Sequence, residues 1–269
     1  MRCRLGIYSC FCCEYSIAPT CEKRKSSLAR PYEREEKMLV HRRWESLGRA
    51  DLGWLTAKHH FAVSPDDDPA HRALGPLIVW NDDEIAVGSG FPLHGHRDME
   101  IITYVRQGVV GHRDTLGSEG TIQAGDVQVM SAGSGIRHTE FNVGDVPLKL
   151  YQIWLMPRVS GGEPRWGTKS FPKSDRAGRF VVLASGFDTD TEALPIRANA
   201  RVLGATLQTG NSIEQAFSGA RQAYIVVAAG RIEVNGESMG PLDGAAITGV
   251  ETIRINALED SELVMVDAG

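Results

Sequence analysis

The sequence predicts an all-β chain folded as two antiparallel β-barrels, and three observations carry that expectation. From residue 77 onward the apolar stretches are short, rich in Val, Ile, Leu and Tyr, and set apart by Gly, Pro, Asn and Asp, the punctuation of strands and turns. Long runs with the 3.6-residue period of an amphipathic helix are scarce. Two stretches flanking a Pro/Gly-rich segment also read alike: "TYVRQGVVGHRD…IQAGDVQVM" (103–130) and "YIVVAAGRIEVNGESMGPLDGAAIT" (224–248). Each has an apolar strand, a glycine (Gly108 or Gly230), a return strand, and a Gly/Asp pair before the next apolar strand.

Along the chain, residues 1–37 hold all five cysteines, and "CEKRKSSLARPYEREEKM" (21–38) is charged and without periodicity. They are expected to be a disordered tail or an overlong start preceding Met38. Glu14 interrupts the apolar run that a signal peptide would need. The body has no cysteine and so no disulfide framework, which suits a reducing cytosol. "KHHFAVSPDDDPAHRALG" (58–75) reads as a polar loop with His59, His60 and His71 at the surface. Strands are expected at "LIVW" (77–80), "EIITYV" (100–105), "DVQVM" (126–130), "LKLYQIWLM" (148–156), "FVVLA" (180–184), "AYIVVA" (223–228) and "LVMVD" (263–267). Asn235-Gly236 within "IEVNGESM" marks a hairpin, because both turn positions need positive φ. "MPRVSGGEPRWGTKSFPKS" (156–174) lacks periodicity and is the expected linker region. The expected division is a first domain over 38–157, a linker over 158–174 and a second domain over 175–269.

A chain of 269 residues with 42% hydrophobic residues is long enough for two cores. Its net charge of −5 leaves no electrostatic footprint for nucleic acid, and no stretch approaches the roughly 18 apolar residues of a membrane span. Direct nucleic-acid or membrane binding is therefore not expected, and a monomer is.

The histidines point to chemistry. None of the eight lies beyond residue 138, so a cluster of imidazoles can be built only in the first half. In a strand, residues two apart share a side, so His94 and His96 in "FPLHGHRDMEIITYV" (91–105) can address one ion together. His138 and Glu140 in "SAGSGIRHTEF" (131–141) have the same spacing. Three imidazoles and a carboxylate suit a borderline divalent transition metal better than calcium or magnesium. On an octahedral ion they leave two positions for water, oxygen or substrate; on tetrahedral zinc they leave none. Parity alone does not separate Glu140 from Glu100. His112 and Asp114 in "GHRDTLG" are expected to share a hairpin hydrogen bond.

Gly88, His94, His96 and Glu100 match the first cupin motif, and Gly125, His138 and Asn142 resemble the second. More narrowly, "GPLIVWNDDEIAVGSGFPLHGHRDMEIITYV", "HRDTLGSEGTIQAGDVQVMSAGSGIRHTEFN" and "LYQIWLMP" resemble the pirin family, including its bacterial quercetinase-like members. Gly95 stands where many pirins have proline. The resemblance covers about residues 45–157 closely and the second half only in general form. It implies a bicupin of jelly-roll type, with a metal held by His94, His96, His138 and Glu140 in the first barrel and no metal ligands in the second. It leaves Glu100 as a partner orienting a ligand imidazole. The implied ion is iron(II), with zinc, nickel, copper, manganese and cobalt as alternatives. The implied activity is that of a quercetin 2,3-dioxygenase, an oxidoreductase cleaving a flavonol with O2 and releasing CO, with Glu140 as proton acceptor. Tyr104, Met130, Ile136 and Phe141 are candidate cavity walls. The alternative implied is a non-enzymatic, redox-sensing pirin that regulates a transcription factor or metabolic enzyme through protein contact.

Overall fold

The computed structural model describes residues 38–218 and 220–269, so the tail expected over 1–37, with its cysteines, lies outside the described residues. The regular secondary structure of the described residues is almost entirely strand, arranged as two seven-stranded and two four-stranded sheets. In the first half the large sheet runs, in spatial order, Arg165–Ser170, Asp126–Ser131, Glu100–Gln107, Leu148–Leu155, Leu77–Ile85, Leu55–His59 and Gly48–Asp51. Its small sheet runs Gly90–His96, Ile136–Asn142, Val109–Asp114 and Glu119–Gln123. The second half repeats the scheme, with Gln222–Ala229 and Ser261–Ala268 central in its large sheet.

Alternation along the strands sorts side chains into distinct cores. On Glu100–Gln107, Ile101 and Val105 face the small sheet, where they join Ile136 and Val110 respectively. Ile102 and Tyr104 face the opposite way, into a core shared by the two large sheets with Trp80, Tyr151, Tyr224 and Val264. Tyr104 is therefore an interdomain residue and not a wall of the first barrel. Phe141 is on the odd-numbered face of Ile136–Asn142, opposite His138 and Glu140, and is also not a wall. Met130 and Ile136 do pack together inside the first half.

The expected hairpin is present: Ile232–Val234 pairs with Glu237–Met239 across Asn235 (φ 49°) and Gly236 (φ 92°). Gly108 and Gly230, matched in the sequence repeat, have φ of 79° and 78° at equivalent strand junctions. Three other expectations are corrected. Arg165–Ser170, inside the expected linker, is a full strand paired with Asp126–Ser131; its short run was hidden among Pro and Gly. Met38–Arg42 precedes the first half in sequence yet pairs with Gly244–Thr248 of the second. His59 and His60 are buried, not superficial: His59 Nδ1 contacts Asp67, and His60 Nδ1 shares a hydrogen bond with the Tyr224 hydroxyl across the domain junction.

Candidate metal centre

The strands Gly90–His96 and Ile136–Asn142 run antiparallel with His94 opposite His138 and His96 opposite Ile136. That register brings His94, His96 and His138 together with donor nitrogens within 4.8 Å of one another. A register irregularity between His138 and Glu140 shifts the pairing by one residue. Glu140 falls in a second group, with His138 and His112, of the same tightness. His138 is common to both groups, and neither group holds all four of the residues singled out in the sequence. Both groups lie in the first half.

Each imidazole is prepared differently. His94 Nδ1 donates to the Pro92 carbonyl at 2.8 Å, which leaves Nε2 with its lone pair. His96 meets the Trp154 ring edge-on at 5.0 Å. Burial, reinforced by the neighbouring imidazoles, pushes His96 down to about 3 and His138 down to about 2. Both therefore remain neutral, the form that ligates metals. His138 Nε2 is buried without a hydrogen-bond partner among the described residues. An orphaned buried nitrogen amid two further imidazoles and a carboxylate fits a divalent transition ion.

Glu140 is held from three sides. Its Oε1 accepts from Gln128 Nε2 at 2.6 Å and from Thr103 Oγ1 at 3.4 Å, and its Oε2 accepts from Gln152 Nε2 at 2.8 Å. The orientation of Gln128 is dictated: Trp166 Nε1 can only donate and does so to Gln128 Oε1 at 2.7 Å, which turns the amide nitrogen to Glu140. Asp83 lies near Glu140 from the adjoining sheet. Burial first, then the charges of Asp82 and Glu140, drives its carboxyl well above the usual range. His112 and Asp114 share the expected hydrogen bond at 3.2 Å. Burial alone would raise the Asp114 carboxyl, but hydrogen bonds from His112 and the Ser118 and Leu116 N–H groups hold it below its ordinary value.

Glu100, expected to orient an imidazole, belongs to neither donor group. It accepts from Ser131 Oγ at 2.6 Å. The cause is local: Asp98 has φ 51°, and the turn between the two strands breaks the parity that would align Glu100 with the histidines. Sequence reasoning missed Gln128, Gln152 and Trp166. A lone amide within an otherwise apolar strand, as in "DVQVM" and "LYQIWL", is the signal that would have found the glutamines, since a buried amide needs partners. Beside His96 a cavity of about 340 Å³ opens, lined by Gly95, Arg97, Thr115, Gly135, Ile136 and Arg137.

A pair of like β-halves with an imidazole-rich donor cluster in one of them defines a bicupin. The chain matches the Pirin family over residues 40–155 and the quercetinase C-terminal cupin domain over 182–268. It is 55% identical to a pirin-like protein of Caulobacter vibrioides across 86% of this chain and 100% of that one. It is 37% identical to quercetin 2,3-dioxygenase of Escherichia coli across 86% and 98% of the two chains. It superposes on the bacterial pirin YhhW of Escherichia coli in complex with nickel(II), with a TM-score of 0.81 and 34% identity over 86% of this chain and 99% of that one. The chain belongs to the pirin family.

Proposed function

We propose that the protein is a metal-dependent dioxygenase of the quercetin 2,3-dioxygenase type, with His94, His96, His138 and Glu140 holding one divalent ion, iron(II) in the first instance. The observation that carries this reading is the convergence of three imidazoles from two paired strands, with a carboxylate two residues beyond the third. The relative in Escherichia coli named quercetin 2,3-dioxygenase supports the substrate class. The net reaction places one atom of O2 on C2 and the other on C4 of a flavonol, breaks both the C2–C3 and C3–C4 bonds, and releases C3 with its oxygen as CO, leaving a phenolic ester that carries a carboxyl group.

A bound ion would supply Lewis acidity toward the flavonol 3-hydroxyl and access to O2. The chain's own residues do the rest. Glu140 accepts the 3-hydroxyl proton on Oε2, which receives only the Gln152 amide, whereas Oε1 already accepts from Gln128 and Thr103. Gln128 and Gln152 hold that carboxylate in place, so it enters the reaction already oriented. Ile136 and the Trp154 ring against His96 keep the inner face apolar, and Arg97 and Arg137 flank the opening.

Oxygen uptake and CO release with quercetin on metal-replete protein test the reading. Metal-dependent CO release supports it; silence with several flavonols would overturn it and favour a protein-binding redox role. Glu140→Gln should lower turnover by about 10²-fold or more while metal content falls far less. Unchanged turnover would remove Glu140 from the proton-accepting role.

A further inference from the structure

A buried chain of polar groups leads outward from His138 and ends on a carboxylate that the proposed chemistry does not use. Asp114 Oδ1 accepts from the backbone N–H groups of Leu116 (2.8 Å) and Ser118 (3.0 Å). Its other oxygen, Oδ2, lies 3.2 Å from His112 Nε2. On the far side of the ring, His112 Nδ1 lies 3.5 Å from His138 Nδ1. The Trp166 indole stacks on the His112 ring at 4.9 Å and 11°, fixing its plane. The His112 and Asp114 side chains are fully enclosed.

The proton positions follow from which groups can donate. A carboxylate only accepts, so His112 Nε2 carries the proton it shares with Asp114. A neutral imidazole has one such proton, so His112 Nδ1 is an acceptor. His138 Nδ1 must then be the donor across the 3.5 Å contact, and the lone pair of His138 is left on Nε2, the atom with no partner. The same reasoning separates the two donor groups that share His138. Both nitrogens of His112 are committed, one to Asp114 and one to His138, so His112 has no lone pair to offer an ion.

We propose that Asp114 and His112 are positioning residues that lock His138 in the Nδ1-protonated tautomer and present its Nε2 lone pair to the metal. The Pro92 carbonyl does the same for His94 directly; for His138 the lock is relayed through a second ring. This inference rests on the metal site proposed above, and its test separates the two.

Asp114→Asn is the informative variant. The Leu116 and Ser118 N–H groups continue to hold the side-chain oxygen, so the amide NH2 is turned toward His112. It donates to Nε2, moves the His112 proton to Nδ1, and opposes the His138 Nδ1–H. In metal-free, 15N-histidine-labelled protein, long-range 1H–15N correlation should show wild-type His138 protonated at Nδ1 and the variant shifted toward Nε2. Ni(II) alone, titrated by calorimetry, should bind the variant about 10–100-fold more weakly. His112→Phe keeps a ring against Trp166 and removes the acceptor, and should weaken Ni(II) binding in the same direction. Wild-type His138 protonated at Nε2 would overturn the proposal, as would Ni(II) affinity within twofold of wild type in both variants. Wild-type protein that shows the expected tautomer, lost in Asp114→Asn, yet binds no Ni(II) would support the lock and remove the metal reading instead.

Discussion

Single side chains at the centre are ordered by a contrast between groups that can only donate and groups that can only accept. The two glutamine amides aim donors at Glu140, Trp166 fixes one of them by donating to Gln128 Oε1, and the Pro92 carbonyl draws a proton from His94. Gln152 is the donor to Glu140 Oε2, so Gln152→Leu leaves that oxygen facing an apolar group. In metal-free protein this should cost about 1.5–3 kcal/mol, the worth of a hydrogen bond to a charged group, measured by urea unfolding. A loss within error of zero would mean that water takes over the role. The candidate ligands were legible in the sequence because two-residue spacing within one strand is a local property. Gln128 and Gln152 were not read as partners, because their partner Glu140 comes from the facing sheet and only packing brings the three together.

Among the elements, the site depends on how closely Gly90–His96 approaches Ile136–Asn142. Gly90 pairs with Phe141, and a Cβ on Gly90 would lie 2.2 Å from the Glu140 carbonyl oxygen. Any side chain there forces the two ligand-bearing strands apart. Gly90→Ala should therefore destabilise the protein by about 1–3 kcal/mol and weaken metal binding together with it. Stability and metal affinity both at wild-type level would show that the backbones part without consequence. Hairpin chemistry was readable in advance, as Asn235-Gly236 shows, because positive φ is a demand on the residue itself. The strand Arg165–Ser170 was not: its identity comes from pairing with Asp126–Ser131, and it delivers Trp166 to both Gln128 and His112.

Over the whole molecule, the two large sheets close on one shared core, with polar links through it. Tyr104 Oη donates to Glu262 and accepts from Arg176 Nη1 at 2.9 Å, and the Tyr224 hydroxyl and His60 Nδ1 share a hydrogen bond at 2.9 Å. Burial first, then the positive charges of Arg42 and Arg106, holds His60 well below its ordinary value of 6.5. The unfolded chain takes up this proton as pH falls through about 6.5 and the folded chain does not, so the folded state loses stability on acidification. The loss falls between about pH 7.5 and 5, where the unfolded imidazole charges. Urea titrations of His60→Gln at these two pH values should show a smaller acid loss than wild type. Parallel losses in both proteins would place the acid sensitivity elsewhere.

The all-β class, the doubled architecture, the turn glycines and the histidines of the candidate centre were already written in residue order. Each depends on propensity or on spacing within a few neighbours. Folding in three dimensions decided which face of each strand looks inward. It turned Glu100 and Tyr104 away from the first barrel, drew His60 into the domain junction and gave Met38–Arg42 to the opposite half. Alternation tells which residues share a side of a strand. Only the partners packed on either side, often more than a hundred residues distant, assign that side to an ion, a core or water.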